Sequence, residues 1–130
     1  MQNTAQNTYL NTSVTTASPG ELTLLLYNGC YRFLKLAIRS IQEKNINGKH
    51  TNLIRAQDII IELQSTLDMN YEISNNLFTL YDYMMRKLEE ANIKQDIQAI
   101  EECAGLIAEL RDTWAEALKS ARSEQKVSGG

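Results

Sequence analysis

Proline is nearly absent from this chain. The single example among 130 residues is Pro19, so nothing beyond it bars long helices. Glycine is sparse as well, at six residues, and no stretch forms a Gly-rich phosphate loop. Gly29 and Gly105 stand singly inside periodic segments. Glycine in a helix interior costs roughly 1 kcal/mol against alanine, so close helix approach is the expected reason for both. Histidine occurs once, as His50, in what reads as a loop. A di-iron bundle needs Glu-x-x-His on two helices, which a single histidine excludes. Cys30 and Cys103 are isolated and supply no paired zinc ligands. Each falls on an apolar helical stripe, where a reduced thiol acts as a small hydrophobe.

Other absences narrow the function further. Glu89-Glu90 and Glu101-Glu102 are adjacent in sequence, and neighbours on a helix do not face each other, so they read as solvated surface. No catalytic group, metal site or cofactor emerges, and the chain is not expected to be an enzyme. Basic charge is not in excess: 13 Lys and Arg stand against 16 Asp and Glu, a net charge of -3. That argues against a nucleic-acid partner. No apolar run approaches the roughly 20 residues that span a bilayer. The Asn-, Gln- and Thr-rich start lacks the basic n-region and apolar centre of a signal peptide. The expected location is cytoplasmic.

What is present is helical periodicity. Hydrophobic residues make up 43% of the chain, enough for one globular domain with a real core. Ser18-Pro19-Gly20-Glu21 carries an N-cap, a first-turn proline and a capping-box glutamate. A helix is predicted from Pro19 to about Glu43. Leu24, Tyr27, Tyr31, Leu34, Ile38 and Ile41 form one stripe on it, and Leu22, Leu26, Phe33 and Ala37, with Leu25, Cys30 and Leu36 beside them, form a second. One buried stripe is usual. This helix is therefore sandwiched between neighbours or offers a face to a partner.

Asn47-Gly48 signals a turn, and a second helix is predicted over about Thr51 to Leu67, with Leu53, Ala56, Ile60, Leu63 and Leu67 inward. Ile54 and Ile61 lie off that face. The third helix, from about Ser74 to Ala91, turns Ile73, Leu77, Leu80, Met84, Leu88 and Ala91 inward, with Phe78, Tyr81 and Met85 to one side. The fourth begins at Asn92 with Gln95, or at Asp96, and runs to about Arg122. Ile100, Cys103, Ile107, Leu110, Trp114, Ala117 and Ala121 repeat along it as a supercoiled seam. Short connections between four helices predict an all-α, antiparallel up-down-up-down four-helix bundle. The expected organisation is a flexible N-terminal arm over 1–17, the bundle over 18–122 and a frayed, disordered tail over 123–130.

Tyr27, Tyr31 and Tyr81 fit either half-buried positions or a groove lining, since tyrosine is both apolar and hydrogen-bonding. Met84-Met85 fits core packing or a surface that accepts a flexible partner. Together with the spare stripes they point to a protein that works by binding.

Four segments carry a resemblance. Thr16 to Gly29 reads TASPGELTLLLYNG, Arg55 to Asp68 reads RAQDIIIELQSTLD, Asn76 to Asn92 reads NLFTLYDYMMRKLEEAN, and Leu110 to Ala117 reads LRDTWAEA. In this order and spacing the chain resembles the flagellin export chaperone family (FliS), over about Tyr9 to Leu118. It departs at Asn28, where many members carry an acidic residue, and at Met69 to Glu72, which lacks a Gly-Gly pair. The resemblance implies a cytoplasmic chaperone that uses no ATP. It would bind the disordered C-terminal segment of flagellin, prevent premature polymerisation and deliver it to the type III export gate, without inserting in the membrane. Tyr9 is then a candidate contact for the gate, and Tyr9, Leu10 and Val14 a lid over the cargo surface. Leu24, Tyr27, Tyr31, Leu34, Ile38, Ile54, Ile61, Phe78 and Met85 are the expected cargo contacts, with Leu110 and Trp114 in the core. A weak homodimer is compatible with this. The rivals are a self-associating structural or adaptor bundle with another helical partner and, less well supported, an all-α enzyme.

Overall fold

Ser18 opens the described part of the chain and caps its first helix. Its Oγ accepts from the Glu21 N–H at 3.2 Å, and Pro19 occupies the first turn. The computed structural model describes residues 18–129, with side chains through residue 124. It contains α1 (Pro19–Gln42), α2 (Ile46–Ser65), α3 (Glu72–Lys94) and α4 (Ile97–Gly129), joined by short turns. No strand occurs among the described residues. The predicted four-helix bundle is the observed fold.

The helices pack in cyclic order, with α1 between α2 and α4. α1 is therefore sandwiched. Tyr27, Cys30, Leu34, Ala37 and Ile38 are buried, and the flanking apolar residues are half-covered. Leu53, Ala56, Ile60 and Leu63 of α2, Tyr81, Met84, Leu88 and Ala91 of α3, and Ala99, Ile100, Cys103, Ala104 and Ile107 of α4 complete the core. The approaches of α3 to α2 and to α4 are looser than those of α1 to its neighbours.

Several boundaries differ from the sequence expectation. Asn47-Gly48 is not the turn: it lies in the first turn of α2, and His50 is helical. The turn is Glu43 to Asn45. Lys44 takes φ 59° and the Asn45 N–H reaches Ser40 O at 2.8 Å, a Schellman ending built without glycine. Asn45 then caps α2, its Oδ1 accepting from the Gly48 N–H at 2.9 Å. α3 ends the same way, with Gln95 at φ 54° and the Asp96 N–H on Ala91 O at 3.2 Å. Asp96 caps α4 through the Ala99 N–H. α3 starts at Glu72 and α4 continues to Gly129, past the point where a frayed tail was expected.

Side-chain placement brings further corrections. Ile73 is 61% exposed instead of inward, because the core ends at Tyr81 and Leu77 on that side. Ala117 and Ala121 are exposed, so the α4 seam stops near Trp114. Glu21 completes no reciprocal box; its carboxylate meets Arg122 at 3.3 Å. Gly29 does mark close approach, since a Cβ there would stand 3.3 Å from Ile59 Cδ1, whereas Gly105 faces open space.

Candidate functional site: an apolar cleft at one end of the bundle

The cleft forms where the bundle opens. The N-terminal half of α1 and the N-terminal half of α3 are diagonal partners, and the core between them does not close. A cavity of about 710 Å³ results. Leu22 and Leu26 of α1 form one wall, Ile73 and Leu77 of α3 the other, and Leu63 with Leu67 the end from α2. Tyr27, Tyr81 and Trp114 make the floor.

Polar groups within this lining are paired or sit at the rim. The Tyr27 and Tyr81 hydroxyls meet at 2.6 Å. Burial pushes both phenols above their ordinary range, so the pair is neutral. Trp114 Nε1–H donates to Gly20 O at 2.8 Å, tying α4 to the start of α1. The α2–α3 turn is held as a wall by Asp68: its carbonyl accepts from Ser74 Oγ at 2.6 Å and its carboxylate from the Asn70 N–H at 3.0 Å. Glu62 and Thr66 also line the edge. Such a cleft offers apolar contact area with little charge.

A second apolar feature runs along the outer α2–α3 seam. Gln64 Nε2 donates to Phe78 O and to Asp82 Oδ1, so the turn of α2 that carries Ile61 lies beside Phe78. Ile54 and Met85 continue the band two turns away on each helix. Ile54, Ile61 and Phe78 are 40, 51 and 41% exposed, and Met85 is half-buried against the core.

The expected contact residues therefore divide. Ile54, Ile61, Phe78 and Met85 come together on one surface. Tyr27 is in the floor of the cleft, reachable only through it. Leu34 and Ile38 are core residues at 0 and 5% exposure and offer nothing to a partner; they lie where α1 is covered by α2 and α4. Leu24 is half-buried outside the cleft, and Tyr31 lies under the Arg111 and Lys35 cations, at 5.1 and 6.0 Å. Tyr9, Leu10 and Val14 lie outside the described residues. Sequence reasoning missed Ile73, Leu67 and Leu77 as cleft walls, and placed Trp114 wholly in the core. Leu77 and Ile73, which continue the α3 stripe one and two turns beyond Tyr81, were the available signal.

Comparison with known proteins decides the family. The model of the family described as "Flagellar protein FliS" matches residues 1–121. The chain belongs to the FliS family. Curated relatives are flagellar secretion chaperones: that of Bacillus subtilis (strain 168) is 47% identical over 122 residues, covering 94% of this chain and 92% of the relative. The FliS of Escherichia coli (strain K12) is 35% identical over 114 residues, covering 85% and 84%. A solved structure described as "Crystal structure of flagellar chaperone from bacteria" superposes with a TM-score of 0.73 at 19% identity, covering 89% of this chain and 96% of that one. The last likeness concerns the fold.

No helix among the described residues is long and apolar enough to cross a membrane, and no group of His, Cys, Asp or Glu among them is placed to hold a metal ion. Both thiols are fully buried, and desolvation pushes each up to about 12.

Proposed function

We propose that this FliS-family protein binds the disordered C-terminal segment of flagellin in the cytoplasm, keeps it from polymerising and delivers it to the flagellar export gate. The observation that carries this reading is the open apolar cleft between α1 and α3. A monomer rarely keeps an apolar surface of this kind uncovered without use. A disordered amphipathic segment has no core of its own, and it gains one by folding as helices across such grooves. The α2–α3 band of Ile54, Ile61, Phe78 and Met85 is a second apolar surface on which such a segment can pack.

The arm belongs to the same proposal. Pro19 and Gly20 line the cleft, so the segment before Ser18 is tethered at its edge. Tyr9, Leu10 and Val14 supply apolar groups to cover the cleft while cargo is absent, and Tyr9 is offered to the gate once cargo displaces them.

Calorimetric titration with roughly the last 40–60 residues of flagellin from the same organism tests the reading. The expected result is a one-to-one complex with a large negative heat-capacity change and a shift in the emission of Trp114. Ile73→Ser, at an exposed cleft wall, is expected to weaken binding while leaving the melting temperature unchanged. Absence of both heat and co-elution would overturn the flagellin assignment. Self-association of the free chain through Ile61 and Phe78, unaffected by peptide, would favour the adaptor reading.

A further inference from the structure

The cleft between α1 and α3 is apolar inside and carries charge of one sign at its edge. Glu62 and Asp68 belong to its lining, and among the described residues no lysine, arginine or histidine does. Glu62 is in the last turn of α2 and Asp68 in the connection to α3, and both are exposed. Neither forms an ion pair with a described residue. Asp68 is nonetheless held in place, because its carboxylate accepts from the Asn70 N–H at 3.0 Å while its carbonyl accepts from Ser74 Oγ.

Two further features act in the same direction. The last turn of α2 carries no basic residue, whereas α1 has Arg39 and α3 has Lys94 in theirs. The negative end of the α2 dipole therefore adds to the two carboxylates, with no cation to offset it. Tyr71 also lines this end, 64% exposed, and an exposed aromatic ring attracts a cation. The opposite edge differs. At the start of α1, Glu21 meets Arg122 at 3.3 Å, so that charge is neutralised within the fold. Negative potential is thus concentrated where α2 ends, beside the apolar walls.

This asymmetry sets what the cleft accepts. A purely apolar segment would cover the carboxylates without pairing them, which costs affinity. A helical segment with apolar side chains and a lysine or arginine three or four residues away presents both on one face. We propose that, within the flagellin C-terminal segment, the cleft selects a helical turn of that kind. Its apolar side chains enter between Leu26 and Leu77, and its cation sits at the α2 end against Glu62, Asp68 and Tyr71. This deepens the flagellin reading and rests on it.

Titration of the C-terminal flagellin peptide into the full chain tests this, comparing wild type with Glu62→Gln/Asp68→Asn. Asparagine at 68 keeps the acceptor for the Asn70 N–H, so the melting temperature should not change. The variant is expected to bind about three- to tenfold more weakly, with affinity that falls less steeply as salt is raised. Each lysine and arginine of the peptide is then replaced in turn by glutamine. One replacement should cause the same loss on wild type and no further loss on the variant, the signature of a coupled pair. Equal affinity and salt dependence in the two proteins, or peptide replacements that all act independently of the variant, would overturn the cation seat and leave the flagellin reading standing. Failure of the unaltered peptide to bind wild type would remove both.

Discussion

The Tyr27 and Tyr81 hydroxyls, brought from α1 and α3 to within 2.6 Å of each other, are the polar link across the floor of the cleft. Tyr27 is 4% exposed and Tyr81 1%, so each hydroxyl relies on the other. Removing one leaves its partner buried and unsatisfied, at about 1–3 kcal/mol. Tyr81→Phe is expected to lower the unfolding free energy by that amount in denaturant titration. The double variant Tyr27→Phe/Tyr81→Phe should recover part of the loss, which shows as a non-additive double-mutant cycle.

Lys49 is a buried cation with a defined task. At 6% exposure it extends under α3, where Nζ donates to Asn92 O at 2.8 Å. That places positive charge near the C-terminus of α3, where the helix dipole favours it. Lys49→Met keeps the stem and deletes the donor. It is expected to cost about 1.5–3 kcal/mol, measured by chemical denaturation, with amide exchange accelerated around Asn92.

The thiols predict a pH dependence. Desolvation raises Cys30 from its ordinary 9.0 to about 12, with Cys103 adding to the shift, and raises Cys103 to the same value, assisted by Glu102. The folded state holds each proton more tightly than the unfolded state does. Stability from this source is complete below about pH 9 and falls as pH climbs from there towards 12. Melting temperatures should decline through that window in wild type, and less steeply in Cys30→Ala/Cys103→Ala. At neutral pH, iodoacetamide should modify neither thiol until the protein is unfolded.

Two glycines should respond oppositely to one added methyl. Gly105 faces open space, so Gly105→Ala is expected to stabilise by roughly 0.5–1 kcal/mol through helix propensity alone. A Cβ on Gly20 would stand 2.5 Å from Leu118 Cδ2, so Gly20→Ala must displace that side chain. It should melt no higher than wild type in the same thermal scan.

Element type was legible in the chain, and element ends were not. α1 announces its start through Ser18 and Pro19 because N-caps depend on side-chain oxygens that sequence displays. Its end, and that of α3, depend on Lys44 and Gln95 taking a left-handed backbone that neither residue type advertises. Asn47-Gly48 looked like a turn, yet Gly48 is glycine because α1 approaches there, with Ser40 Oγ and Asn45 Nδ2 leaving no room for a Cβ. The exposed band was readable from Ile54 and Ile61, which fall off the inner face of α2. The cleft was not: Ile73 and Leu77 continue the inward stripe of α3, and periodicity alone does not tell whether a facing helix is present to cover them.

By itself, the sequence determined four amphipathic helices, short antiparallel connections, buried inert thiols and, through its segment pattern, membership of the FliS family. Those properties follow from local periodicity, composition and ordered motifs, which need no knowledge of neighbours. Tertiary structure decided which stripe became core and which became surface. It buried Leu34 and Ile38 by enclosing α1 between α2 and α4, and it exposed Ile73 by holding α3 away from α1 at one end of the bundle. Burial depends on what packs opposite a side chain, and that partner comes from residues distant in the chain.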